Sequence, residues 1–135
     1  AEPCIVTPDF TMFTAADVAA AQRVLSQPES VTPLKKRAAE LGIIGEWFGS
    51  RREATRFIEL SRMAQAGLII ELRRQVPYTL SYGGVRIGEW RADFVYLKAD
   101  ASGLTVEDTK GHRTALYRWK KKHVEAQYGI VIIET

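Results

Sequence analysis

Two aspartates and a lysine in the second half of the chain are the residue types of a divalent-metal site. Asp93 opens an alternating apolar segment, and Asp108-Thr109-Lys110 closes a second one. Residues 98–103, between the two segments, have the composition of a turn. Two apolar alternating runs joined by such a turn predict a β-hairpin that carries an acid on each strand.

The register of this hairpin decides which side chains meet. A hairpin symmetric about the bond between residues 100 and 101 places Asp93 opposite Asp108, and Leu97 opposite Leu104. Side chains directly opposite on antiparallel strands have Cβ atoms roughly 5 Å apart. Because side chains alternate along a strand, Glu107 faces away from Asp108. A β-bulge at 107–108 would exchange the two acids, so Glu107 is a second-tier candidate.

Two facing carboxylates repel each other unless a cation lies between them. Lys110 supplies one positive charge on the face of Asp108, and Mg²⁺ or Mn²⁺, which bind oxygen ligands, would supply the rest. The alternative is a pair of acids that faces solvent, or that discourages aggregation at a sheet edge. Since aspartate is depleted in strands, we favour the metal site.

Size and composition limit the other possibilities. The chain has 135 residues and 46% apolar content, which corresponds to one domain with a normal core. It contains no apolar run of transmembrane length and no signal-peptide pattern at its start. The single cysteine, Cys4, excludes an internal disulfide, and the two histidines lie too far apart for a zinc finger. We therefore expect a reducing, cytoplasmic setting and no membrane.

The net charge is only +3, but the basic residues are clustered. Such clusters suit contacts with nucleic-acid phosphates, and the alternative is a set of solvated faces. One group lies between Thr109 and Val124 without an intervening acid, and the other is rich in arginine: Lys110, Arg113, Arg118, Lys120, Lys121 and Lys122, then Arg51, Arg52, Arg56, Arg62, Arg73 and Arg74.

Residues 1–42 predict a helical N-terminal extension. Thr14 is the expected N-cap of a first helix, which Pro28 prevents from continuing. Thr32-Pro33 predicts the start of a second helix, and Gly42 its end. Neither helix carries an obvious chemical group.

Residues 43–135 predict the core. Ser50 and Glu53 fit a capping box for a helix that ends at Gly67. Strands are expected at residues 68–74, 76–82, 85–87, 89–97 and 104–110, with Pro77 favouring an edge. A helix from 115 to 127 and a strand from 130 to 134 follow. The order of helix, three to four mostly antiparallel strands, helix and strand predicts an α/β fold.

The predicted helices add further candidates to the site. Glu53 shares a stripe with Phe57 and Leu60 that should face the sheet, so it either reaches the site or merely caps its helix. Glu59 falls on the polar side instead.

The last helix offers a lysine. Lys120 is spaced by four residues from Leu116 and from Val124, which predicts an inner position where it contacts a phosphate or extends past apolar neighbours to solvent. Trp119 is expected in the core. Gln75 and His112 are polar second-tier candidates near the predicted site.

The ordered set of Glu53, Asp93 and Asp108-x-Lys110-Gly111 resembles the signature of PD-(D/E)XK nucleases, which have a restriction-endonuclease-like fold. The string Val-Glu-Asp-Thr-Lys-Gly is similar to that of phage Holliday-junction resolvases of the endonuclease I type. It is still closer to small phage and prophage proteins of formerly unknown function. The likeness covers residues 45–134. In two departures, Ala92 stands where proline is usual, and Asp108 where glutamate is commoner.

This resemblance implies a metal-dependent endodeoxyribonuclease acting on branched DNA such as Holliday junctions. Glu53, Asp93 and Asp108 would hold one or two Mg²⁺ (or Mn²⁺) ions, with Lys110 as a further catalytic residue. Cutting a symmetric junction calls for two sites, so we expect a homodimer, of phage or prophage origin, in a bacterial host. The DNA would contact Lys120, Arg118, Lys121, Lys122, Arg113, Arg51 and Arg52.

Two other interpretations stay open. The chain could be a catalytically silent nucleic-acid-binding module of the same fold. It could instead be a phage replication or recombination adaptor whose first 42 residues dock a partner.

Overall fold

The structure, a computed structural model, describes residues 3–24, 38–43, 45–100, 102–109 and 113–135. It divides into two compact units, Ala1–Ile58 and Glu59–Thr135. Each unit has its own sheet, and antiparallel pairs predominate in both. The chain is therefore a mixed α/β protein. Among the described residues, no helix combines the length and the apolar composition needed to cross a membrane.

The first unit contains a sheet of three short antiparallel strands. These are β1 (Cys4–Val6), β2 (Met12–Thr14) and β3 (Glu46–Phe48), in the order β2-β1-β3. Helix α1 (Ala15–Val24) follows β2, and helix α2 (Arg51–Gln65) follows β3 and continues into the second unit. Ile5, Val18 and Ala38 are buried together in a small core.

The helix signals of this unit are confirmed where the structure describes them. The Thr14 hydroxyl accepts a hydrogen bond from Asp17 N at 3.3 Å, while Asp17 Oδ2 accepts one from Thr14 N at 2.7 Å. Gly42 has φ +79°, as expected at a helix end. Pro28 and Thr32-Pro33 lie outside the described residues.

The N-terminal region is not purely helical as predicted, because strands β1 and β2 precede α1. Three-residue strands are too short to show a period of two in the sequence. Their pairing is also long-range, since β1 takes β3 as its second partner.

The second unit contains a four-stranded sheet in the order β4-β5-β6-β7. Its strands are β4 (Ile69–Tyr82), β5 (Val85–Lys98), β6 (Leu104–Asp108) and β7 (Ile132–Glu134). The first three pair antiparallel, whereas β7 runs parallel to β6 after the crossover helix α3 (Ala115–Tyr128). This is the predicted order of elements.

Strands β4 and β5 form one long hairpin where the sequence predicts four strands. Gly83 and Gly84, at φ +56° and +79°, make the expected tight turn. The register shifts between Ile70 and Arg73, and Gln75 has a positive φ of 52°. These irregularities interrupt the alternation that sequence reasoning depends on. Strand β4 is an edge strand, as its proline requires.

The register of the β5–β6 hairpin is the predicted one. Leu97 pairs with Leu104, and Phe94 pairs with Glu107. Along β6 the register runs without a break against β5 from Leu104 to Glu107 and against β7 from Val106 to Asp108. The bulge that would have exchanged Glu107 and Asp108 does not occur in this strand.

Helix α3 has the expected ends but a different buried side. The Thr114 hydroxyl accepts a hydrogen bond from Tyr117 N at 3.0 Å, and Gly129 closes the helix in the left-handed conformation. Tyr117 and Val124 are buried, whereas Leu116 and Trp119 are exposed, so the prediction was wrong at both exposed residues. The core of the unit consists of Leu80, Trp90, Ala92, Val95, Val106, Val124 and Ile132.

The close approach of Gly45 to the backbone of Val6 and Thr7 can be tested by substitution. A Cβ at this position would overlap the backbone of Val6 and lie 2.9 Å from Thr7 Cα, whereas a Cβ at Gly49 would have no heavy atom within 4 Å. We expect Gly45→Ala to lower the free energy of unfolding by about 1–3 kcal/mol, because backbone cannot move aside as a side chain can. Gly49→Ala is the control and should change it far less. Urea unfolding measures both, and equal values would contradict the close approach.

The cap of α1 predicts that the stability of the fold depends on pH. Hydrogen bonds from the backbone and hydroxyl of Thr14, with the charge of Arg51, hold the pKa of Asp17 below its usual value. A carboxyl with a lowered pKa stabilises the fold above its unfolded-state pKa, and that stabilisation is lost as pH falls through the folded-state pKa. We expect Asp17→Asn to flatten the fall in melting temperature below about pH 5. If the melting temperatures of wild type and Asp17→Asn fell equally as the pH is lowered, this role would be contradicted.

Candidate active site

Asp93 is held by two neutral hydrogen-bond donors. Its Oδ1 accepts from Gln75 Nε2 at 3.2 Å, and its Oδ2 accepts from Thr109 N at 2.8 Å. Gln75 comes from β4, where it is one of two residues with a positive φ. Both donors are neutral groups, and together they orient the half-buried carboxylate.

Asp108 is buried at the end of β6. Phe94 and Glu107 form the last ladder pair of the hairpin, so Asp93 and Asp108 occupy the next position on each strand. Thr109, which follows Asp108 directly, donates the bond to Asp93. The two acids of the predicted site are therefore neighbours at the point where β6 ends.

A third acid, Glu134, lies at the same end. It stands beside Asp108 in the parallel register of β6 and β7. Thr135 N donates to Asp108 O at 3.0 Å, and the hydroxyls of Thr109 and Thr135 are 3.2 Å apart. The carboxyl ends of the parallel strands β6 and β7 thus meet next to Asp93.

Tyr117 of α3 connects the acids of β6 and β7. Its hydroxyl donates to Glu134 Oε2 at 3.1 Å. Burial, followed by the charges of Asp108 and Glu134, raises the pKa of the Tyr117 hydroxyl well above its usual value. The hydroxyl therefore keeps its proton and stays a hydrogen-bond donor to the carboxylates.

Two basic residues neutralise Glu134. Arg113 Nε lies 2.7 Å from Glu134 Oε2, and Lys121 Nζ lies 3.8 Å from Glu134 Oε1. Burial raises the pKa of the Glu134 carboxyl, but Arg113, Tyr117 and Lys121 outweigh it and hold that pKa below its usual value. Two cations predicted to bind DNA are thus already in contact with a carboxylate.

Sequence reasoning missed Tyr117 and Glu134. The available signals were weak: an aromatic residue three positions after the N-cap, and an acid at the end of the last apolar strand. Only the parallel pairing of β6 with β7 brings Glu134 next to Asp108.

Glu107 lies away from these acids. It is buried on the opposite face of β6, where the hydroxyl of Tyr96 donates to its Oε2. This is the placement predicted for a regular strand.

The remaining predicted residues have varied surroundings. Lys120 Nζ donates to Glu89 O at 2.9 Å, so one of its three N–H groups is used in a hydrogen bond within the protein. Arg118 and Lys122 are exposed on α3, and Arg51 and Arg52 are exposed at the start of α2. Lys110 and His112 lie outside the described residues.

Glu53 belongs to the first unit, near the start of α2. Its backbone N donates to Ser50 Oγ at 3.2 Å, which confirms the predicted cap. Glu53 is half-buried and Leu60 is buried, whereas Glu59 is exposed, in agreement with the predicted stripe.

The donor set suits a hard cation. Among the residues that the structure describes, no group of three or more His, Cys, Asp or Glu side chains is placed to hold a metal ion. Mg²⁺ is commonly bound by only one or two carboxylates, with water and substrate phosphates completing its coordination. Asp93 and Asp108 fit that requirement by chemistry and by position.

A family model described as a protein of unknown function (DUF1064) matches residues 34–134, which is more than half of the chain. The chain belongs to this family. The DUF1064 match includes every strand and helix from β3 to β7 and leaves out β1, β2 and α1. No curated protein and no solved structure matches the chain.

The buried pair of Tyr96 and Glu107 can be tested by substitution. Tyr96→Phe removes a hydrogen bond to a buried carboxylate, which we expect to cost about 1–3 kcal/mol of unfolding free energy. The matched control is Tyr82→Phe, because Tyr82 is 81% exposed and its hydroxyl is not needed in the core. Urea unfolding of the two variants measures the difference. An unfolding free energy of Tyr96→Phe equal to that of wild type would contradict the importance of this bond.

Proposed function

We propose that this chain is a metal-dependent endonuclease that hydrolyses phosphodiester bonds of branched DNA, with a restriction-endonuclease-like core. The hydrogen bond from Thr109 N to Asp93 carries the proposal. It brings the acid of β5 beside the Asp108-Thr109 segment, which Lys110 follows directly in the chain. The order of acid, second acid and lysine resembles that of PD-(D/E)XK nucleases.

The residues of the site have distinct roles in this proposal. Gln75 and Thr109 orient Asp93, and the charge of Asp108 lies near a tyrosine that stays protonated. The two carboxylates would hold Mg²⁺, which when bound polarises the scissile phosphate and lowers the pKa of water. Lys110 is proposed to offset negative charge that develops on the phosphate.

The DNA backbone would be held by basic residues of α3. Arg118 and Lys122 are exposed and available to phosphates. Arg113 and Lys121 contact Glu134, so they would have to exchange a carboxylate for a phosphate. Two copies would be needed to cut both strands of a symmetric junction, and the resemblance implies a phage or prophage enzyme in a bacterial cytoplasm.

A catalytically silent DNA-binding module of the same fold is the second candidate. It is favoured by the ion pairs of Glu134 with Arg113 and Lys121, because they give this acid beside Asp108 a structural role that needs no metal. In that case the acids of the sheet would be structural, and the basic residues of α3 would bind the backbone without cleavage.

The deciding experiment incubates the purified chain and Mg²⁺ with linear duplex, flap and four-way-junction DNA. We expect cleavage of branched DNA, and a loss of at least about 100-fold in Asp93→Asn and Asp108→Asn. Asp100→Asn, in the loop between β5 and β6, is the matched control and should cut normally. Lys110→Ala should bind and not cut. Binding of every substrate without cleavage would exclude the enzyme and favour the silent module.

A further inference from the structure

Helix α3 carries a large aromatic side chain on its solvent side. Trp119 is 49% exposed, in contrast to Trp90, which is 5% exposed in the core of the same unit. Leu116, which lies three residues earlier and therefore on the same face, is 61% exposed. Tryptophan is enriched at interfaces, which makes this face of α3 a candidate binding surface.

The indole of Trp119 rests on a second ring. The centroids of Trp119 and His123 are 5.5 Å apart, at an interplanar angle of 43°. His123 Nε2 is 3.0 Å from Ser81 O and 3.1 Å from Gln127 Oε1. Gln127 Nε2 in turn donates to Thr79 O at 3.1 Å. The imidazole is thus fastened to β4, so the indole is supported before a ligand arrives, which lowers the entropic cost of binding.

The charge around this ring is positive. Arg118 and Lys122 are both exposed and stand four residues apart, in a row beside Trp119. The one acid of α3, Glu125, is directed elsewhere, because it accepts from Ile132 N at 2.9 Å and lies 3.8 Å from Lys121 Nζ. An aromatic surface flanked by cations suits a base whose neighbouring phosphates contact the cations.

We propose that Trp119 is a stacking platform for an unpaired base of single-stranded DNA, with Arg118 and Lys122 binding the adjacent phosphates. Bases in a duplex are already stacked on their neighbours and would have to be extruded to reach the indole. Bases in a single strand, or in the single-stranded part of a flap, are unpaired and avoid that cost. The inference rests on the proposed function in taking DNA as the partner, and it names unpaired bases as the feature that the enzyme recognises.

Tryptophan fluorescence, measured in EDTA so that no metal-dependent cleavage occurs, tests the proposal. An oligothymidylate single strand is titrated into wild type, Trp119→Phe and Trp47→Phe, where Trp47 is a half-buried residue of the first unit. We expect quenching in wild type and Trp47→Phe, and loss of that quenching in Trp119→Phe. Trp119→Ala should weaken single-strand binding by about 10-fold or more, with a much smaller effect on duplex binding.

Trp119→Phe also serves as the folding control for the affinity measurement. It keeps an aromatic ring, so its affinity for the single strand should lie between those of wild type and Trp119→Ala. Arg118→Ala and Lys122→Ala should weaken single-strand and duplex binding alike and reduce the dependence of affinity on salt.

Two results would overturn the proposal. One is unchanged affinity of Trp119→Ala for the single strand. The other is fluorescence that depends on protein concentration but not on DNA, which would mean that Trp119 contacts a second copy of the chain. Because the readout is binding without metal, it is independent of cleavage. An inactive protein that stacks a base would refute only the nuclease proposal, and an active one without stacking would refute only this inference.

Discussion

The candidate site depends on the register between β5 and β6. A strand that slipped by one residue would turn every side chain to the other face of the sheet, and Asp108 would exchange places with Glu107. Val95 and Val106 hold the observed register, because they are buried together in the core of the second unit. The hydrogen bond from Thr109 to Asp93 fixes the two strands relative to each other beyond their last ladder pair, Phe94 and Glu107. The position of the acids is therefore a consequence of hydrophobic packing.

Acids on both faces of β6 are buried, and their surroundings make that possible. Tyrosine hydroxyls serve both faces, Tyr96 toward Glu107 and Tyr117 toward Glu134 beside Asp108. Arg113 and Lys121 add positive charge next to Glu134. Buried charge is tolerated only when it is paired or hydrogen-bonded, so these groups are as necessary to the site as the acids themselves.

Helix α3 has two different tasks on its two sides. Its inner side supplies Tyr117 to the acids and Val124 to the core. Its outer side presents Trp119 over His123, with the exposed cations Arg118 and Lys122 alongside. The helix that supplies Tyr117 to the acids of β6 and β7 thus also carries the surface proposed to bind DNA.

The features that could be predicted from the sequence were local. The caps at Thr14 and Thr114, the glycine turn between β4 and β5, and the pairing of Leu97 with Leu104 all follow from residues close together in the chain. The features that could not be predicted depend on distant parts of the chain. Glu134 joins Asp108 only because β7 returns parallel to β6, and the buried side of α3 depends on the sheet against which it packs. Pairing and packing between distant segments are set by the whole core, which no short stretch of sequence encodes.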